Sequence, residues 1–135
     1  MIPSCCKALI FDMDGVLWHS GISHAAAYRQ ALLAEGLQMP HYNKLAGRRT
    51  DEVMRELIKK QKGCSDEEQV ARLTKGKQAL AHQMLRESPP LIPGCAECLS
   101  YLAMQYRLVL ASSSSRRNVQ LFLKSSGVSS LFEHI

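Results

Sequence analysis

The chain has 135 residues, 46% apolar and 21% charged, with a formal charge of +5. That is enough for one domain with a core of ordinary soluble character. No apolar run reaches membrane-spanning length and the first residues, Met1-Ile2-Pro3-Ser4-Cys5-Cys6, lack a signal-peptide pattern, so no membrane partner and a cytoplasmic location are expected. The basic residues are scattered, pairing only at Arg48-Arg49, Lys59-Lys60 and Arg116-Arg117, so no nucleic-acid partner is expected either; the charge suits small anionic substrates such as phosphate esters.

Ala8-Leu9-Ile10-Phe11 is a short continuous apolar run, the pattern of a strand buried on both faces. It ends in Asp12 and Asp14, followed by Gly15. Alternation sets the two acids on one side of the chain, with Met13 pointing away. Side chains just past such a strand reach the crevice where open α/β sheets bind ligands. One carboxylate there can be a nucleophile and the other can move protons, and together they invite a hard cation, Mg²⁺ above all. A solvated Asp-Gly turn is the plainer reading of the same residues.

From Ser23 to about Ser88 the pattern is helical. Ser23 can cap a first helix that ends near Gly36. Thr50 can cap a second, with Val53, Met54, Leu57 and Ile58 on one face and Gly63 at its end. Ser65-Asp66-Glu67-Glu68 reads as a capping box opening a third, whose face carries Val70, Leu73, Lys77, Leu80, Met84 and Leu85. Pro89-Pro90 stops it. A helix from about Gly94 to Gln105 follows, then a second buried strand, Arg107–Ala111, then Ser112 to Ser115, then a helix holding Val119, Phe122 and Leu123 and ending at Gly127. A third strand is expected to begin near Ile135. The whole reads as an α/β fold with a parallel sheet: residues 1–18 and 90–135 form the core and residues 19–89 an inserted helical module.

Five cysteines in such a chain point to free thiols. Cys95 and Cys98 share a helix face with Leu99 and Leu102, so they are expected to be buried and inert. The serine run could be a linker, but it starts where a buried strand ends and opens into an amphipathic helix. That makes it a candidate site for phosphate oxygens, through a hydroxyl and the free N–H groups of a helix start.

Asp12-Met13-Asp14-Gly15-Val16 after one strand, with Ser112 after another and a helical insert between, resembles the haloacid dehalogenase-like superfamily. The likeness is to its helical-cap phosphatases and the β-phosphoglucomutase group, and it spans essentially all 135 residues. The resemblance implies a Rossmann-like core with a helical cap, Mg²⁺ as cofactor and a small phosphorylated metabolite as substrate. Asp12 would be the nucleophile and Asp14 the general acid/base. The Asp12 carboxylate and the Asp14 backbone carbonyl would hold the metal, and Ser112 and Ser113 the phosphoryl group. His24, Arg48 and Arg49 would serve the substrate from the cap. His19 departs from the family pattern, in which an acid is common. The resemblance also implies a later Lys and one or two later acids, for which this sequence has no match; Lys124 is not one. The chain is therefore expected to be the N-terminal part of a hydrolase and a poor catalyst alone. The other reading is an incomplete relative acting as a binding module, with self-association through an open sheet edge.

Overall fold

The structure, a computed structural model, describes residues 2–135. Its elements run β1 (Ala8–Phe11), α1 (Gly21–Leu33), α2 (Thr50–Lys62), α3 (Glu67–Glu87), α4 (Cys95–Ala103), β2 (Arg107–Leu110), α5 (Arg116–Ser126) and β3 (Phe132–His134). The chain divides into two compact units, residues 1–20 with 89–135, and residues 21–88. The cuts at 20/21 and 88/89 compare with the expected 18/19 and 89/90.

The first unit holds a parallel sheet in the order β1-β2-β3. Leu9 pairs with Leu108, Ile10 with Val109, Phe11 with Leu110, and Leu108 with Phe132. Both crossovers step the same way across the sheet, so their right-handedness sets α4 and α5 on one face. Burial agrees. Leu108, Leu110 and Phe132 are buried and Leu9 and Phe11 half-buried, whereas Ala8, Arg107 and His134 on the other face are exposed and Ile10 is 72% exposed. Within residues 2–135 one layer of helices covers one face of β1, where the sequence pattern expects cover on both. The third strand starts at Phe132, three residues before Ile135. Trp18 and Phe122, both fully buried, meet edge to face with centroids 5.5 Å apart and anchor the covered side.

The second unit is all helical. Tyr28, Ala31 and Leu32 of α1, Val53, Met54, Leu57 and Ile58 of α2, and Val70 and Leu73 of α3 form its core with Leu37 and Leu45. The 3-4 spacing of these residues puts each set on one helix face. Along α3 the buried line is Val70, Leu73, Lys77, Ala81 and Leu85; Leu80 and Met84 are half-buried.

Three expected caps move. Helix α1 begins at Gly21, so Ser23 lies inside its first turn. Thr50 is the first residue of α2, not its cap; it is buried and its side chain hydrogen-bonds Tyr28. Asp66, not Ser65, caps α3, its carboxylate accepting the Glu68 N–H at 3.1 Å. Asp and Ser are about equal as caps, so which of two adjacent candidates serves is decided by where the incoming chain turns. Gly63 and Gly127 end α2 and α5 at φ 83° and 70°, in the left-handed region that suits glycine. No helix among the described residues is long and apolar enough to cross a membrane.

Candidate active site

The turn after β1 is wound around one carbonyl. Met13 O accepts the N–H groups of Val16, Leu17 and Trp18 at 3.2, 2.9 and 3.3 Å, and Gly15 N–H donates to Trp18 O at 2.9 Å. Met13, Leu17 and Trp18 are buried, which plugs the turn into the core. Gly15, at φ 78°, supplies the reversal. The two acids are left outside that plug, as alternation expects, but in different circumstances.

Asp12 is exposed, and its Oδ1 accepts the Met13 N–H at 2.7 Å. Asp14 is half-buried and enmeshed. Its Oδ1 accepts the Trp18 indole N–H at 3.0 Å and the Ser20 hydroxyl at 2.5 Å, and its Oδ2 accepts the Ser114 hydroxyl at 2.6 Å. The Ser114 bond links residues 100 positions apart and brings the ends of β1 and β2 together. Hydroxyls can donate to a carboxylate or accept from a carboxylic acid, so Ser20 and Ser114 accommodate either protonation state of Asp14. With its side chain committed to donors, Asp14 cannot easily offer carboxylate oxygen to a cation. The exposed Asp12 carboxylate can. Among the described residues no group of three or more His, Cys, Asp or Glu could hold a metal ion.

Within the serine segment the structure selects Ser114 as the residue bonded to Asp14. Ser112 Oγ instead accepts the Ser114 N–H at 3.1 Å, bending the loop, and Ser113 is exposed. Ser115 sits at the N-cap of α5 without a side-chain cap bond, so the helix start keeps N–H groups that can meet an anion. Sequence reasoning missed Trp18, Ser20 and Ser114. Their types gave a signal: a Trp N–H and two hydroxyls are donors, and a half-buried carboxylate needs donors.

The residues expected to serve substrate from the cap all lie in the helical unit, and each is already engaged. His24 is 6% exposed, and its Nδ1 stands 3.1 Å from the Nζ of Lys77, itself 5% exposed and 4.3 Å from the Tyr28 ring centroid. Burial pushes the Tyr28 hydroxyl above its ordinary range, against a smaller opposing pull from its bond with Thr50. Arg48 donates to Glu56 at 2.7 Å, which raises its guanidinium pKa further, and Arg49 holds Asp51 at 3.2 Å. Both arginines are thus ion-paired at the start of α2.

No curated protein sequence matches this chain. Among solved structures, β-phosphoglucomutase from Clostridium difficile superposes with a TM-score of 0.82 at 23% identity, over 96% of this chain and 60% of that one. A predicted phosphoglycolate phosphatase from Haemophilus somnus 129pt gives 0.74 at 22% identity, over 96% and 61%. CbbY from Rhodobacter sphaeroides, solved with xylulose-(1,5)bisphosphate, gives 0.75 at 22%, over 96% and 62%. At such identities the likeness establishes the fold, and the chain spans about 60% of the length of these neighbours. The model of the haloacid dehalogenase-like hydrolases matches residues 6–135, the strands, the acid turn, the helical unit and the serine segment included, and the chain belongs to that family.

Proposed function

We propose that this chain carries part of a phosphoryl-transfer centre acting on a small phosphorylated metabolite, as a phosphatase. The observation behind the proposal is the bond from Ser114 to Asp14, which gathers the acid turn and the serine segment at one end of the sheet and leaves the Asp12 carboxylate open to solvent. An Asp12 oxygen would attack phosphorus as the ester P–O bond breaks, giving an aspartyl phosphate. Asp14 would give its proton to the leaving oxygen, then take one from the water that attacks the acyl phosphate and returns Asp12 to a carboxylate. Ser112, Ser113 and the first N–H groups of α5 would hold the phosphoryl oxygens. Hard oxygens at Asp12 and at the Asp14 backbone carbonyl fit Mg²⁺, whose charge would offset that of nucleophile and phosphate. Transfer of the phosphoryl group back to a second hydroxyl, as a phosphomutase requires, is the other reading, favoured by the fold's likeness to β-phosphoglucomutase.

Two donors are a thin metal site, and no third ligating side chain joins them among the described residues. We therefore propose that the remaining groups of the centre lie outside these 135 residues. The helical unit would act as the cap, with His24, Arg48 and Arg49 as its candidate substrate-binding residues. The test has two arms. Sugar phosphates and phosphoglycolate are offered with Mg²⁺ to the 135-residue protein and to the product of any in-frame continuation of its reading frame. The proposal expects phosphate release well below about 1 s⁻¹ from the former and enzyme-like rates from the latter, abolished by Asp12→Asn. Rates that survive Asp12→Asn overturn the nucleophile. Fast turnover by the 135 residues overturns the incomplete centre. A stop codon directly after Ile135 favours the binding-module reading, with the open edge of β1 as its contact surface.

A further inference from the structure

Cys95 opens helix α4 and Cys98 stands one turn on. The expectation of buried thiols is corrected: Cys98 is exposed and Cys95 half-buried, both are free, and both line an open apolar hollow of about 290 Å³ with Phe11, Leu17, Ile92 and Leu99. Helical periodicity showed that the two cysteines share a face, but the face that α4 turns to the core is centred on Leu99, and the cysteines flank it at the rim.

We infer that Cys95 and Cys98 form a reversible intrahelical disulfide, a thiol modification site on the wall of this hollow, made by exchange with a low-molecular-weight disulfide. Residues three apart on a helix have Cβ atoms about 5–6 Å apart, and a disulfide needs about 3.5–4.5 Å, so about 1–2 Å must close. The place where that is cheapest is a first turn. Tightening it to a 3-10 turn eclipses residues i and i+3 and brings their side chains into line. Here the turn is held by Cys98 N–H to Gly94 O at 3.0 Å, and its N-cap, Gly94, makes no side-chain bond that the change would break. The hollow gives Cys95 room to swing.

The chemistry assigns an order to the two thiols. Cys98, in contact with solvent, attacks the small disulfide first; a Cys98–S–S–R bond forms and one thiol leaves. Cys95, shielded from water and pushed toward its neutral form by that burial, then attacks the Cys98 sulfur, and a second small thiol leaves. Two cysteine thiols are oxidised, one disulfide is reduced to two thiols, and the two protons end on those thiols. Phe11 and Leu17, which share the hollow, flank Asp12 and Asp14 in sequence, so the modification site shares its wall with the ends of the acid turn and lies in the same unit.

The test treats the reduced protein with oxidised glutathione, quenches with acid and alkylating agent, and maps the cysteines by peptide mass spectrometry. The expected product is a peptide holding both residues, two hydrogens lighter and unalkylated, restored by reductant. Cys95→Ser should trap glutathione on Cys98, and Cys98→Ser should lose most of the reaction at Cys95. A glutathione adduct that persists on Cys98 in the unsubstituted protein, two intact thiols, or a link to Cys5, Cys6, Cys64 or a second chain overturns the inference. The decisive readout is made on the unsubstituted protein, so it does not depend on the variants folding.

Discussion

The two acids differ in what they do for the fold, and substitution should separate them. Asp14→Ala removes a half-buried carboxylate that satisfies Trp18, Ser20 and Ser114. Hydrogen bonds to a charged group are worth about 1.5–3 kcal/mol each when buried. Partial exposure lets water replace some of them, so we expect a total loss of about 2–4 kcal/mol, with the fully buried Trp18 indole N–H and Ser20 hydroxyl contributing more than the half-buried Ser114 hydroxyl. Asp12→Ala removes an exposed carboxylate that, among the described residues, accepts from the adjacent N–H, and should stay within about 0.5 kcal/mol. Urea unfolding of both variants, followed by Trp18 fluorescence, measures the difference. A cycle with Ser114→Ala then isolates the long-range bond. Asp14→Ala and Ser114→Ala should be sub-additive by about 1 kcal/mol, whereas Asp12→Ala and Ser114→Ala should add within about 0.5 kcal/mol. Equal costs for the two acids, or additivity for Asp14 with Ser114, would refute the account of Asp14 as the residue that ties β1 to β2.

Asp66→Ala should cost about 1 kcal/mol and Ser65→Ala close to nothing in urea midpoints, the reverse of what the capping-box spacing suggests. Phe122→Ala should cost about 3–5 kcal/mol by removing a fully buried ring and its contact with Trp18; retention of the native urea midpoint would contradict the assigned core. Because burial raises the Tyr28 hydroxyl, the unfolded chain ionises before the folded one. Stability contributed there is complete below about pH 10 and lost as pH rises from there through the folded value; Tyr28→Phe should flatten that part of an alkaline unfolding profile.

The apolar runs at Ala8–Phe11 and Arg107–Leu110 and the glycines at 63 and 127 were legible because they encode local geometry. What stands on the far side of a strand is not local, so Leu9-Ile10-Phe11 does not say which elements cover Ile10. Four identical serines likewise hide which one meets Asp14; the phase is set by where β2 ends and α5 begins. His24 and Lys77 each suit a polar surface by residue type, and their pairing across 53 residues depends on how α1 lies on α3 within the helical unit. The cysteine pair shows the same limit. A helical wheel gives the shared face, but only packing decides whether the core centres on the cysteines or on Leu99.

The register of β1 on β2 links these points. A one-residue slip moves every strand side chain to the opposite face. In most half-covered sheets the hydrophobic pattern forbids that slip, but here Ile10 and Val109 on the open face are as apolar as Leu9, Phe11, Leu108 and Leu110 on the covered one. Pattern alone therefore discriminates weakly. The discrimination comes from what lies past the strand ends. Ala111 N–H bonds Phe11 O at 2.8 Å, and three residues further along each chain the Ser114 hydroxyl reaches Asp14. A slip would carry Asp14 away from Ser114 and pull Met13 and Trp18 from the core. The contacts that gather the acid turn and the serine segment are thus the contacts that select the register, so the geometry of the candidate site and the specification of the sheet stand or fall together.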